Sequence, residues 1–207
     1  MSHKDIEEQI LKNDEFLIKQ TFGHPFIDFR ISHVGETFEN LINRGNTFLP
    51  SLNSLFHNFK SLHYEQFKNQ QVNDAAIFGR VARMWASLVR EWHAYYLLLH
   101  IGKKFRLDKT DILRNDDLDT KKGIDIYLKN KTDKEKSIKL DILQSTKRAD
   151  HFRNKKDTIR VKDKDIPGIK YKIQLGKNKE TTKELKGWYL LDNDYADRII
   201  TYFVENK

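Results

Sequence analysis

The chain has no cysteine among its 207 residues. Disulfides, Cys-ligated zinc, iron–sulfur clusters and a thiol nucleophile are therefore excluded. With 9 Gly and 3 Pro it has neither a collagen-like repeat nor a Pro-rich linker. No stretch of about 18 consecutive apolar residues occurs, so neither a transmembrane helix nor a membrane partner is expected. The start, Met1 to Glu8, is charged and lacks the apolar segment of a signal peptide, which leads to the expectation of a cytoplasmic protein. P-loop, GxSxG, HExxH and dinucleotide fingerprints are all missing. There is no internal repeat and no low-complexity tract.

What is present is a substantial core and an uneven charge. Hydrophobic residues make up 38% and aromatics 12% of the chain, enough to build a folded domain with a helical elaboration. The formal net charge is +8. Residues 1–120 carry 15 Lys and Arg against 16 Asp and Glu, whereas residues 121–207 carry 23 against 14. The whole excess sits in the last 87 residues. A concentrated basic field favours a polyanion, so a nucleic acid, DNA or RNA, is the expected partner.

Hydrophobic spacing divides the chain into 1–100 and 101–207. In the first part, Ile6, Ile10, Leu11, Phe16 and Leu17 form one helical stripe. Phe38, Leu41 and Ile42 form another, ended near Gly45. Leu52, Leu55, Phe56, Phe59 and Leu62 form a third, with Pro50 suited to its first turn. The strongest helix runs from Ala75 to Leu99. Its apolar positions Val81, Met84, Trp85, Leu88, Trp92, Tyr95, Tyr96 and Leu99 span about 120°, with Arg80, Arg83, Ser87 and Arg90 opposite.

Beyond residue 100 the period shortens. Gly123 to Leu128 and Ile138 to Gln144 read as strands of a hairpin around a Lys-rich turn. Lys170 to Leu175 and Trp188 to Leu191 read as further strands, and Phe105-Arg106-Leu107 as an edge strand. Ala149 to Thr158 reads as a basic helix, and Tyr195 to Val204 as a last helix capped by Asp194. The expected fold is α+β with an α/β core: a helical N-terminal half and a small mixed sheet flanked by helices.

The positions that carry chemistry fall in order along residues 91–156. Glu91 lies about 40° beyond Tyr95, at the border of the helix's apolar stripe. Asp125 is an acid in an otherwise apolar strand, where an unpaired carboxylate is costly. The next strand ends Asp141-Ile142-Leu143-Gln144, followed at once by Ser145, Thr146, Lys147 and Arg148. Carboxylate and carbonyl oxygens converging from adjacent strand ends suit a hard cation such as Mg²⁺, and a nearby lysine can stabilise charge on phosphate. The basic run Arg148, His151, Arg153, Lys155 and Lys156, with Thr146 before it, is suited to holding a phosphate backbone.

The order helix-Glu, strand-Asp, then a strand ending in a polar triplet resembles the PD-(D/E)xK nucleases, the superfamily of type II restriction enzymes. The resemblance covers roughly residues 85–160. It implies a restriction-endonuclease-like fold and a metal-dependent DNA endonuclease, with restriction or mobile-element defence as its setting. Glu91 matches the helix carboxylate and Asp125 the metal-binding aspartate. Gln144 stands where Glu or Asp is usual, and Asp141 is a further potential ligand. Mg²⁺ is the implied cofactor, with Mn²⁺ able to substitute. The usual lysine position holds Thr146. Lys147 stands one residue later and would need a bulge to be re-aimed. A homodimer would let two sites address both DNA strands.

Each position also has a purely structural use. Glu91 can pair with a nearby arginine, Asp125 can accept backbone hydrogen bonds in the hairpin, and Gln144 can close a strand end. A protein that uses them this way would be a nuclease-like subunit that binds nucleic acid without cutting it.

Overall fold

The computed structural model describes residues 1–13, 34–43, 48–114, 124–144 and 166–207. The chain divides into two compact units, His3–Val89 and Arg90–Lys207. The division falls inside the longest helix, upstream of the change of period at residue 100.

The described secondary-structure elements of the first unit are all helices. Helix α1 spans His3–Lys12 and buries Ile6 and Ile10 one turn apart. Leu11 is exposed, because position 11 lies one step round the helix from that pair. Phe16, Leu17 and Gly45 lie outside the described residues. Helix α2, Val34–Asn43, buries Val34, Phe38, Leu41 and Ile42, the i, i+4, i+7, i+8 set of one face.

Helix α3 spans Leu52–Leu62. Ser51 is its N-cap, and the Ser51 hydroxyl accepts the Ser54 N–H at 3.1 Å. Pro50 therefore stands outside the helix rather than in its first turn. Its carbonyl accepts the indole N–H of Trp85 at 2.9 Å. Leu55 and Phe59 are buried, while Leu62 at the end of the stripe is exposed. A short helix α4, Tyr64–Asn69, buries Phe67.

Helix α5 is Asp74–Gly102, 29 residues, or about 43 Å at 1.5 Å per residue. The Asn73 side chain accepts the Ala76 N–H at 2.9 Å and starts it. From Leu88 onward burial extends round the helix and takes in Arg90, Glu91 and His93. Arg90, expected on the polar side, is buried. A helix covered on most sides loses the polar face that a single stripe assumes.

The chain leaves α5 through a 3₁₀ turn, Lys103–Phe105, with Arg106 in the left-handed region at φ 59°. The N–H groups of Leu107 and Arg106 donate to Gly102 O and Lys103 O, which is a Schellman stop. Residues 105–107 are thus a helix terminus and not an edge strand. The edge strand is β1, Ile112–Leu113.

Four strands form a mixed sheet in the order β1-β2-β3-β4. Strand β2 is Ile126–Leu128, β3 is Ile138–Gln144 and β4 is Ile169–Leu175. Strands β1, β2 and β3 are antiparallel neighbours, and the β2–β3 hairpin pairs Ile126 with Leu140 and Leu128 with Ile138. Strand β4 runs parallel to β3, from Ile138 opposite Ile169 to Gln144 opposite Leu175. Their first contact needs a glycine. Ile169 N–H donates to Ser137 O at 2.7 Å, and a Cβ on Gly168, whose φ is +122°, would sit 2.5 Å from that same oxygen.

A second, two-stranded sheet pairs β5, Thr182–Leu185, with β6, Trp188–Leu191. Its loop is Lys186-Gly187, both at positive φ, which is the type I′ geometry that matches strand twist. Helix α6, Asn193–Glu205, buries Ala196, Ile200 and Phe203. Its N-cap is Asp192, not Asp194: the Asp192 carboxylate accepts the N–H groups of Asp194 and Tyr195. The architecture is mixed α+β, as expected.

Candidate metal and nucleic-acid site

Asp125 stands just before β2, and the main chain around it departs from regular pairing. Its N–H donates to Leu140 O at 3.1 Å, although Leu140 is already the partner of Ile126. Its carboxylate Oδ2 accepts the N–H of Ile142 at 2.5 Å. The side chain thus stands in for a backbone carbonyl at the end of the ladder. Both Asp125 and Ile142 are buried, so this acceptor satisfies a donor with little access to water. The structural use of Asp125 foreseen from the sequence is realised.

The same bond fixes where the carboxylate sits. It lies beside residues 140–142 of β3, two positions before Gln144. That is the C-terminal end of β3, where it runs parallel to β4. Strand β3 keeps an unbroken register with β4 from Ile138 through Gln144. That register leaves no bulge between Asp141 and Gln144. Asp141 is half-buried, opposite Lys172 of β4.

Glu91 is also engaged. Its Oε2 is 3.2 Å from Nη2 of Arg114, and both side chains are buried. The Arg114 guanidinium lies over the Trp92 ring, 4.4 Å from its centroid. On the same helix, Arg90 lies over Trp188 at 5.0 Å. Burial pushes the Arg90 guanidinium down to about 10, against the opposing pull of Glu91. It stays protonated at neutral pH. Burial raises the Tyr96 phenol, with the Arg114 charge acting the other way. Glu91 thus belongs to a buried cluster of cations, indoles and one carboxylate.

Of the remaining positions singled out in the sequence, Thr146, Lys147, Arg148, His151, Arg153, Lys155 and Lys156 lie outside the described residues, with the helix expected at 149–158. Among the described residues, no three His, Asp or Glu side chains are grouped to hold a metal, and no helix is long and apolar enough to cross a membrane. The oxygen donors Asp125 and Gln144 are nevertheless the type that Mg²⁺ selects.

The sequence reading missed two features of this unit. Arg114 follows a two-residue strand too short to show a period. Asp111 is buried, with Lys131 Nζ at 3.0 Å and Lys207 Nζ at 3.5 Å from its Oδ1. Burial acts to raise the Asp111 carboxyl. The Lys131 and Asp108 N–H hydrogen bonds and the two lysine charges outweigh it and hold the group below the usual aspartate value. Spacing in sequence gives no hint of this pairing, because Lys131 and Lys207 arrive from distant segments. No family model, curated protein or solved structure matches this chain.

Proposed function

We propose that the protein is a metal-dependent endonuclease acting on DNA, with Asp125 and Gln144 as the oxygen ligands at its centre. The observation that carries this reading is the Asp125 carboxylate bound against Ile142, two residues before Gln144, at the C-terminal end of a parallel strand pair. Crevices outside the carboxyl ends of parallel strands are where open α/β sheets hold ligands. The hydrogen bond from Ile142 orients the carboxylate rather than exhausting it. A carboxylate offers about four acceptor sites, and ligating carboxylates are commonly held by such bonds.

A bound Mg²⁺ supplies an activated water and charge neutralisation for phosphodiester hydrolysis. Asp125 and Gln144 would hold it. Glu91 is assigned to the fold, because its carboxylate is already neutralised by Arg114 inside the protein. The basic excess of residues 121–207 would hold the phosphate backbone.

A second reading, a nucleic-acid-binding subunit without catalysis, is favoured by the engagement of Glu91 and Asp125 in structural bonds. One assay separates the two. Supercoiled plasmid and RNA are incubated with the protein in Mg²⁺, Mn²⁺ or EDTA and resolved on a gel. The nuclease converts plasmid only with metal. A binder shifts nucleic acid in EDTA as well and cuts nothing.

A further inference from the structure

One side of the second unit carries a pocket that the metal site does not use. It has a volume of about 180 Å³ and is lined by Ile138, Tyr171, Tyr195, Arg198, Ile199 and Tyr202. Four of the six come from α6 at i, i+3, i+4 and i+7, so they share one helix face. This face continues round from the core set Ala196, Ile200 and Phe203. Tyr171 comes from β4 and Ile138 from the start of β3.

Size, lining and charge restrict what fits. Cavities of about 150 Å³ hold one benzene, whereas sites for drug-sized ligands are about 300–1,000 Å³. The pocket therefore suits one flat ring system. Its walls are rings: Tyr171 and Tyr202 meet edge to face at 6.4 Å, and the Arg198 guanidinium lies over Tyr195 at 5.3 Å. Tyr202 is 42% exposed, as is Ile169 at the head of β4, so an entering ring gains apolar contact not already used by the fold.

The polar groups are of two kinds. Burial, together with the hydroxyl of Tyr202 bonded to it and that of Tyr195 beside it, pushes the Tyr171 phenol up. The Tyr171 hydroxyl is therefore neutral at ordinary pH, and a tyrosine hydroxyl can donate to and accept from a ring edge. Residues 166–207 hold eight Lys and Arg against six Asp and Glu, and the cation among the lining residues, Arg198, is exposed.

We infer that this pocket receives one unstacked base of a single-stranded nucleic acid, with the ring against Tyr171, Tyr195 and Tyr202 and a flanking phosphate against Arg198. Aromatic walls with a cation beside them are how sequence-tolerant single-strand binding is built. The inference rests on the reading of the protein as acting on nucleic acid, but not on catalysis.

The test is fluorescence anisotropy in EDTA with the full chain. The probes are a labelled oligothymidylate and an oligomer of equal length whose central nucleotides are abasic. Equal phosphate charge removes electrostatics from the comparison. The base-bearing probe should bind about tenfold tighter or more. Tyr202→Ala should abolish that preference, and Tyr202→Phe should retain most of it. Equal affinity for the two probes, no binding of either, or a preference that survives Tyr202→Ala would overturn the proposal. A tryptophan-bearing peptide that competes while the bases make no difference would assign the pocket to a protein partner and overturn it too. Base preference without plasmid cleavage would sink the nuclease reading alone. Cleavage without base preference would sink the pocket alone.

Discussion

Removing the Asp125 side chain should destabilise the second unit whatever the protein does with metal, and that makes the residue testable on two separate scales. In Asp125→Ala the N–H of Ile142 loses the acceptor now 2.5 Å away, in a place where both residues are buried. An orphaned buried donor costs about 1–3 kcal/mol, with the upper end applying where the lost acceptor was charged. Taking about 2 kcal/mol, and about 2–4 °C per kcal/mol for a chain of this size, the midpoint should fall by about 4–8 °C. Asp125→Asn keeps an amide oxygen of nearly the same shape in the same position. It should recover most of the loss and remain within about 1 kcal/mol of the parent, the difference between a charged and a neutral acceptor. Thermal unfolding followed by circular dichroism gives the midpoints, and urea titration the free energies. If Asp125→Ala unfolds at the parent midpoint, or Asp125→Asn is no better than Ala, the carboxylate is not acting as the missing backbone acceptor.

Three further outcomes follow from local geometry. Gly168→Ala should lose about 2 kcal/mol or more in a denaturant titration, because the added carbon meets Ser137 O at a φ that disfavours any side chain; parental stability would refute the close approach. Lys186→Asn should raise stability by about 0.5 kcal/mol, since Asn-Gly is the favoured type I′ pair and lysine is not at ease at φ 49°; a loss would refute the argument from turn geometry. Asp111 has a folded pKa held below its unfolded value, so its contribution is present above the ordinary aspartate range and is lost as pH falls through the lowered value. The stability gap between parent and Asp111→Asn should therefore be widest near neutral pH and shrink below about pH 4, and a gap that is constant in acid would contradict the ion-pair account.

Sequence pattern revealed elements whose burial has a simple period. The stripes of α2 and α3, the hairpin strands around 126 and 140, the alternation of β4 and the length of α5 all follow from spacing that one buried face imposes. The pattern failed where burial or turn chemistry takes over. Helix α5 is covered on most sides beyond Leu88, so a stripe model left Arg90 outside when Trp188 covers it. Strand β5, Thr-Lys-Glu-Leu, has no apolar period, and only the Lys186-Gly187 turn makes it the partner of β6. At the candidate site, the acid in an apolar strand was visible, and so was its use as a backbone acceptor. Its actual partner, the N–H of Ile142, depends on a shift of pairing at the end of the ladder that no side-chain spacing encodes. The Arg114 partner of Glu91 was hidden for a similar reason: β1 is two residues long, too short to carry a pattern.

The most direct test of the central claim uses the variant that keeps the fold. Parent and Asp125→Asn are compared on supercoiled plasmid with Mg²⁺ and with EDTA, under single-turnover conditions with protein in excess. The account predicts cleavage by the parent in Mg²⁺ alone, and none detectable from Asp125→Asn even though it folds and binds DNA within about tenfold of the parent, since the substitution removes charge and not shape. Equal cleavage by both proteins, or none by the parent in either Mg²⁺ or Mn²⁺, would contradict it.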